Sequence, residues 1–405
     1  MTYIEGGVCA PKGFRASGIH VGVKTSNTDK KDLALIVADQ DCTAAAVYTK
    51  NVVKAAPLQI TKEHLENGHA RAVLANSGNA NACAPDGEAN ALRSCAAVAA
   101  ELGISTTDVI VASTGVIGQK LPVGVIENGV SELVSSLSYD GSQDAATAIM
   151  TTDLAMKECA VETEIGGKTI RIGGIAKGSG MIHPNMGTML AFLTTDCAIS
   201  PVMINKALAD AAKVSFNRIS VDGDTSTNDT LSLLANGMAG NVEIDKPGAG
   251  YDTFADALNA LCIKLAIMMA ADGEGAAHLI TCRVSGAKSE DEAETLSKSV
   301  ISSTLTKAAI FGADANWGRV LCAMGYSGVE FDPDSVTIAF ESASGRIMVC
   351  EKGRGLSFDE KLAKSILSEH DIIIDVRMTA GHAVCTCWGC DITYDYIKIN
   401  GDYRT

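Results

Sequence analysis

The segment that most constrains this 405-residue chain is residues 173–196, GGIAKGSGMIHPNMGTMLAFLTTD. Its glycine-rich beginning is flexible and brings Lys177 into a turn, and Pro184 then stiffens the backbone. Gly187 and Thr188 stand directly before MLAFLTT, an apolar run typical of a buried β-strand. The sequence therefore predicts that the Gly187–Thr188 peptide bond is held at the start of a buried strand.

The residue types at this bond suit self-cleavage. Glycine has no Cβ to obstruct attack on its carbonyl, and the threonine hydroxyl can make that attack. An N-to-O acyl shift and hydrolysis of the ester would leave Thr188 as a new N-terminus. Its free α-amine, with an ordinary pKa of about 7.7 to 8.0, could take the proton from its own hydroxyl. The alternative is that Gly187 and Thr188 simply open a strand, which the pair alone favours.

Composition is typical of a compact enzyme. Hydrophobic residues make up 47% and aromatic residues 4%, which with 39 glycines predicts an α/β or α+β fold of layered sheets and helices. The formal net charge of -15 argues against nucleic acid or an anionic membrane as partner. The thirteen cysteines are dispersed and often lie in apolar runs, so we expect reduced thiols. The opening residues lack a signal-peptide pattern, and we expect a soluble cytoplasmic protein.

Hydrophobic periodicity predicts the main elements. Strands are predicted at 33–38, 73–75, 108–112, 371–378 and 382–390, and helices at 88–102, 143–153, 202–212 and 252–271. A charged linker that contains a further helix is predicted at 289–310. Polar residues inside 252–271 indicate a core helix rather than a membrane span. Ser357 and Glu360 have the spacing of a capping box at the start of another helix. A change of pattern near residue 286 predicts a separate C-terminal α/β domain, 286–405, after units 1–187 and 188–285.

Polar loops follow several of the predicted strands. The loop NSGNANAC (76–83) can point backbone amides at a ligand, although an ordinary turn is the alternative. After strand 108–112, Thr114 and Gly115 can donate to an oxygen that becomes negative, although a Ser/Thr cap is the alternative. Glu274, between two glycines, can meet a cationic group, although an isolated glutamate more often faces solvent.

Two clusters contain metal-ligand residue types without metal-site spacing. They are Asp222, Asp224 and Asp229, and Cys385, Cys387 and Cys390. The aspartate cluster lacks the sixth-position glycine and twelfth-position glutamate of an EF-hand. The cysteine cluster lacks a fourth ligand and a second CxxC. We therefore expect no metal site.

Seven blocks of sequence carry a resemblance that covers essentially the whole chain. They are GGVCAPKGFRASG (6–18), NSGNANAC (76–83), STGVIG (113–118), GIAKGSGMIHPNMGTMLAFLTTD (174–196), SVDGDTSTNDT (220–230), FGADANWGR (311–319) and WGCDITYDYIKINGDYRT (388–405). Together they resemble the ornithine acetyltransferase family of arginine biosynthesis, whose members move an acetyl group between N-acetylornithine and glutamate. Gly187 departs from the alanine usual before the nucleophilic threonine in that family. We expect glycine to permit cleavage, and the sequence leaves open how its looser backbone changes the cleavage rate.

The resemblance implies a self-cleaving N-terminal-threonine acyltransferase fold and a set of site residues. Thr188 would be the nucleophile and Gly187–Thr188 the cleavage site, with Thr114 and Gly115 as the oxyanion hole. The implied substrate-binding residues are Thr151, Lys177, Thr188, Glu274, Asn400 and Thr405. Lys177 would pair with the substrate carboxylate, and Glu274 with the Thr405 end would meet the cationic side. No cofactor is implied.

The implied reaction transfers acetyl from N2-acetylornithine to Thr188 and then to glutamate, which predicts ping-pong kinetics. The sequence leaves open whether acetyl-CoA can also acetylate Thr188. We expect the two cleaved chains to stay associated, as a dimer of processed pairs. A self-processing amidase or aminopeptidase, with water as acceptor, is one alternative. The other is a binding or regulatory protein whose Gly187–Thr188 bond stays intact.

Overall fold

The computed structural model describes residues 1–183 and 189–402. The strands are β1 (Thr2–Ile4), β2 (Phe14–Ile19), β3 (Leu33–Tyr48), β4 (His69–Asn76), β5 (Val109–Ser113), β6 (Lys157–Ile165), β7 (Lys168–Lys177), β8 (Leu190–Thr195), β9 (Ile219–Ser220), β10 (Thr230–Ala235), β11 (Leu279–Ala287), β12 (Thr337–Ser342), β13 (Gly345–Glu351), β14 (Arg354–Gly355), β15 (Asp371–Arg377) and β16 (Ala383–Cys390). The helices are α1 (Ala56–His64), α2 (Gly87–Leu102), α3 (Val123–Ser135), α4 (Ser142–Ala148), α5 (Pro201–Val214), α6 (Ala249–Ala271), α7 (Glu290–Ser302), α8 (Thr304–Phe311), α9 (Trp317–Gly325), α10 (Glu360–Leu367) and α11 (Tyr394–Asp402).

Within the described ranges, nine strands form a first mixed sheet. Its order is β1-β6-β7-β8-β10-β3-β4-β5, with β2 paired to β3. The central strand β8 pairs antiparallel with β7 and parallel with β10. Every residue of β8 is buried, which confirms the buried strand predicted after Thr188.

Helices cover both faces of the first sheet, and β8 shows why its sequence is continuously apolar. Leu193 packs into the core formed with α5 and α6. Phe192, which points to the other face, packs into the core that includes α4. A strand covered on both faces needs apolar residues at successive positions rather than at alternate ones. The layered α/β architecture is as predicted.

Three predicted helices have different bounds in the structure. The capping box at Ser357 was wrong, because Asp359 is the N-cap of α10 and accepts from the backbone of the first helical turn. The segment 289–310, predicted as a charged linker with one helix, holds two helices divided at Ser303, whose side chain caps α8. The helix predicted at 143–153 ends at Ala148, so that Thr151 and Asp153 lie in a loop.

The second sheet of the described chain has seven strands in the order β14-β13-β12-β15-β11-β16-β9. Its core packs against α7, α9 and α10. Strand β11 starts at Leu279, and the short β9 joins from the chain segment before α6. The predicted boundary at residue 286 stays a prediction.

One helix of the described residues, α6, is long and apolar enough to cross a membrane. Half of its most apolar window is buried inside the fold. Its buried side chains, including Phe254, Leu261 and Leu265, pack in the core with α5 and the first sheet. This packing is that of the predicted core helix.

Candidate active site

A cavity of about 590 Å³, counting its solvent-open mouth, lies where several loops of the two sheets converge. Six predicted site residues fall in the described ranges, and all six line this cavity: Thr114, Gly115, Thr151, Lys177, Glu274 and Asn400. They come from positions spread over nearly 300 residues of sequence. The structure thus brings them together, and their individual roles stay predictions. Gly187, Thr188 and Thr405 lie outside the described residues.

One wall of the cavity is built from the two loops that follow the parallel strands β4 and β5. The Thr114 N–H donates to the Asn76 carbonyl at 2.9 Å, and Asn79 forms β-bridges with residues 114 and 116. Gly115 has φ +132°, and a Cβ there would lie 2.4 Å from the Gly78 carbonyl carbon. Only glycine fits this approach, so the NSGNANAC and STGVIG motifs form one packed unit.

Lys177 ends β7 and is almost fully buried at the cavity. Its Nζ donates to the Thr151 hydroxyl at 2.7 Å and to the Thr114 hydroxyl at 3.4 Å. It also lies 3.8 Å from the Asp153 carboxylate. Burial lowers the pKa of Lys177 below its ordinary value, while the negative charge of Asp153 opposes that shift.

The opposite charge comes from Glu274, which follows α6 and is 8% exposed. Its N–H donates to the Ser179 carbonyl at 2.9 Å. Asn400 on α11 donates from Nδ2 to Glu274 Oε2 at 2.7 Å. Gly180 packs so closely that a Cβ there would lie 2.4 Å from Glu274 Cδ. The cavity therefore has a lysine and a glutamate in its lining, each held by hydrogen bonds.

Sequence reasoning missed two polar residues that organise the site. Asn228 lines the cavity and donates from Nδ2 to the carbonyls of Ala80 and Ser113, at 2.6 and 2.7 Å, which ties the β4 and β5 loops together. Asp153 accepts from the Gly178 N–H at 2.7 Å beside Lys177. The SVDGDTSTNDT block (220–230) reaches the site through residues 226–228, but its pattern does not single out Asn228.

The chain immediately after Thr188 is fixed beside the same cavity. Leu190 is the Cα partner of Lys177 in the β7–β8 pair. The Met189 N–H donates to Asp229 Oδ1 at 2.7 Å, and its carbonyl accepts from the Thr230 N–H at 3.1 Å. The first described residues after the expected cleavage site thus lie against Lys177 and the 220–230 loop.

The two clusters considered for metals serve the backbone and the core. Asp222 accepts from the backbone N–H groups of Met181 and Ile182, at 2.5 and 2.9 Å. Cys385 and Cys387 are buried in the core of the second sheet. Within the described ranges, no group of three or more His, Cys, Asp or Glu side chains is arranged to hold a metal.

The ArgJ family model matches residues 15–405 of this chain. The chain belongs to the ArgJ family. It is 49% identical to the arginine biosynthesis bifunctional protein ArgJ of Symbiobacterium thermophilum, over 100% of both chains.

Two crystal structures extend the comparison. The arginine biosynthesis bifunctional protein ArgJ of Bacillus halodurans is 41% identical, with a TM-score of 0.50, and the match covers 52% of this chain and 97% of that one. An ornithine acetyltransferase from Mycobacterium tuberculosis, complexed with ornithine, is 39% identical with a TM-score of 0.42, covering 45% and 97%. Membership of the ArgJ family confirms the resemblance that the sequence blocks carry.

Proposed function

We propose that this chain is a glutamate N-acetyltransferase that transfers acetyl from N2-acetylornithine to glutamate through an acetyl ester on Thr188. The observation that carries this proposal is the cavity in which Lys177 and Glu274 both lie. N2-acetylornithine has an α-carboxylate and a side-chain ammonium, so a site for it needs one cationic and one anionic partner. Membership of the ArgJ family, whose relatives are named for arginine biosynthesis, supports the same reaction.

Self-cleavage at Gly187–Thr188 is part of the proposal. The matched crystal chain from Bacillus halodurans is covered almost completely by only 52% of this chain. Residues 188–405 make up just over half of the sequence, so a crystal chain of that size fits the longer cleavage product. Leu190, two residues after Thr188 in sequence, pairs with Lys177, which lines the cavity.

In the first half-reaction the Thr188 hydroxyl attacks the acetyl carbonyl, and the free α-amine takes the hydroxyl proton. Thr114 and Gly115 donate to the oxygen that becomes negative. Because Lys177 donates to the Thr114 oxygen, the hydroxyl proton of Thr114 is free to point elsewhere. The α-amine returns its proton to the leaving amine, and ornithine departs. The acetyl group is left as the Thr188 ester.

In the second half-reaction the α-amine of glutamate attacks the ester carbonyl. As the C–N bond forms, the α-amine of Thr188 takes a proton from the attacking amine. It gives that proton to the Thr188 oxygen as the ester C–O bond breaks, which regenerates the hydroxyl. N-acetylglutamate departs. Lys177 and Thr151 bind the α-carboxylate that both substrates share, and Glu274, with Asn400 and the Thr405 end, binds the ornithine side chain.

The proposed function includes the assembly of the cleaved pieces, their location in the cell and the acetyl donors. The cleaved pieces, 1–187 and 188–405, stay associated and pair as a heterotetramer in the cytoplasm, with 286–405 as the C-terminal domain. No cofactor takes part. The relatives are called bifunctional, and acetyl-CoA as a second acetyl donor to Thr188 would account for that description.

Intact mass spectrometry of the wild type and of Thr188→Ala tests the proposal. We expect two fragments for the wild type, one acetyl added to the C-terminal fragment by N2-acetylornithine, and loss of that acetyl when glutamate is added. Thr188→Ala should remain one uncut chain. Free acetate without N-acetylglutamate would instead favour an amidase, and an uncut wild type would overturn the proposal.

A further inference from the structure

The loop after α4 contains a buried carboxylate, that of Asp153, which contacts Thr151 and Lys177 of the cavity lining. The Asp153 side chain is fully buried, and its Oδ1 accepts from the Gly178 N–H and from Lys157 Nζ, each at 2.7 Å. Its Oδ2 accepts from the Thr151 N–H at 3.0 Å and lies 3.8 Å from Lys177 Nζ. One side chain therefore fixes the backbone on either side of the Thr151–Lys177 hydrogen bond.

A second buried lysine shares the charge of Asp153. The Lys157 side chain is fully buried between Asp153 and Asp272, and lies 2.5 Å from the Asp272 carboxylate. Asp272 in turn accepts from the N–H groups of Leu154 and Ala155. The cluster thus contains two lysines and two aspartates, and the loss of either carboxylate leaves a buried positive charge in excess.

We propose that Asp153 is a positioning residue for acetyl transfer, which holds Lys177 Nζ against the hydroxyls of Thr114 and Thr151. This role rests on the proposed function, because it matters where a charged Lys177 must meet a substrate carboxylate and polarise Thr114. Asp153 itself lies behind Lys177 and acts through it.

The charged groups around Lys177 give the sign of the effect. Burial lowers the pKa of Lys177, Asp153 and Glu274 raise it, and Lys157 and Lys30 lower it. Asp229 also interacts with the charge of Lys177. Burial raises the pKa of Asp153, but Lys177 and Lys157 outweigh that effect and hold it below its ordinary value, so Asp153 is ionised at neutral pH.

Replacing Asp153 by asparagine removes the nearest negative charge and keeps the shape. Lys177 should then lose its proton at a lower pH, because burial and Lys157 are no longer opposed to the same extent. Since the protonated lysine is the active form, the alkaline limb of kcat/KM for N2-acetylornithine should move down by about one pH unit or more.

The experiment compares the pH dependence of kcat/KM in wild type, Asp153→Asn and Asp272→Asn. Asp272→Asn is the matched control, because it removes a carboxylate of the same cluster that pairs with Lys157 instead. Its alkaline limb should stay where the wild-type limb lies, whatever its stability. Equal limbs in wild type and Asp153→Asn, or an equal shift in both variants, would overturn the inference.

Lys157→Gln gives a second variant with the opposite sign, which also serves if Asp153→Asn does not fold. Removing that lysine should raise the pKa of Lys177 and move the limb upward; a downward shift would count against the inference. The proton state is also read without catalysis, by NMR titration of lysine labelled with ¹³C at Cε, with Lys177→Arg for assignment. A shifted titration in Asp153→Asn supports the inference even if the protein transfers no acetyl group. In that case the proposed function fails and the role of Asp153 in positioning Lys177 does not.

Discussion

Asp229 Oδ1 accepts a 2.7 Å hydrogen bond from the backbone N–H of Met189, the residue directly after Thr188. The side chain of Asp229 is fully buried. Burial raises the pKa of Asp229 well above its usual range. The backbone of Met189 is therefore hydrogen-bonded to a carboxyl group that resists ionisation.

Asp229→Asn is expected to raise the free energy of unfolding at pH 8 and to change it little near pH 4. In the unfolded chain an aspartate ionises at about pH 3.9, whereas the folded carboxyl stays protonated to higher pH. Its stabilising contribution is complete below the unfolded pKa and is lost as the pH rises toward the folded pKa. Asparagine has no such loss, and its carbonyl can still accept from Met189.

Urea unfolding between pH 4 and pH 8 measures this difference, in a Thr188→Ala background so that all samples are uncut. The exposed Asp41 provides the control, since Asp41→Asn should change stability by no more than about 0.5 kcal/mol at either pH. A wild-type minus Asp229→Asn difference that does not vary with pH would contradict the expectation.

Gly115→Ala should reduce acetyl transfer by about 100-fold or more, the usual effect of losing one oxyanion donor. The new Cβ would lie 2.4 Å from the Gly78 carbonyl carbon and 2.6 Å from the Asn79 nitrogen. These are backbone atoms, so the two loops must move apart. Single-turnover acetylation of the C-terminal fragment, followed by mass spectrometry, measures the loss.

Gly118→Ala in the same loop separates this clash from backbone strain. Gly118 has φ +81°, but no described atom lies within 4 Å of the added Cβ. It should lose about 1 to 2 kcal/mol of stability and keep its acetylation rate. If the acetylation rate falls equally in both variants, the close approach of the two loops at Gly115 is not the cause of the loss.

The sequence predicted the elements around the site well where local pattern determines them. Strand β8 is buried along its whole length, and helix α6 has one long, mostly apolar sequence with a buried face. Such runs are visible without a structure. The family resemblance also brought forward Lys177 and Glu274, which share one cavity. These residues stand beside glycines in motifs, so their signal is local.

Asp153 and Asn228 show what local pattern cannot supply. The pattern of residues 143–153 predicts that Asp153 ends a helix. In the structure Asp153 lies in a loop, from which it contacts Lys157 and Gly178. Asn228 donates to two backbone carbonyls that are far away in sequence. Ser113 lies 115 residues before it and Ala80 lies 148 residues before it. Their partners are set by the order of strands in the sheet, which periodicity does not encode.

Cys83 and Cys322 should be the fast-reacting thiols of the native protein. They are the exposed cysteines, and most of the others are buried. Burial raises the pKa of buried thiols such as Cys95 and Cys197, each to about 12, so their reactive thiolate is scarce. Titration with a thiol reagent before and after denaturation should give two fast groups and then the rest. If a double Cys83→Ser, Cys322→Ser variant still has thiols that react fast before denaturation, the exposed positions of Cys83 and Cys322 do not explain the fast reaction.

Glu274→Gln should separate the two half-reactions. N2-acetylornithine has a side-chain ammonium, and a hydrogen bond to a charged group contributes about 1.5 to 3 kcal/mol, so its KM should rise by about tenfold or more. Glutamate has a carboxylate in that position, and the loss of a like charge should leave its KM unchanged or lower. Asn400→Ala, which removes the 2.7 Å donor to Glu274 but leaves the glutamate charge in place, should give a smaller rise for acetylornithine. Initial rates with each substrate varied in turn measure both constants. Equal increases for the two substrates would mean that Glu274 supports the cavity as a whole and does not select the ammonium.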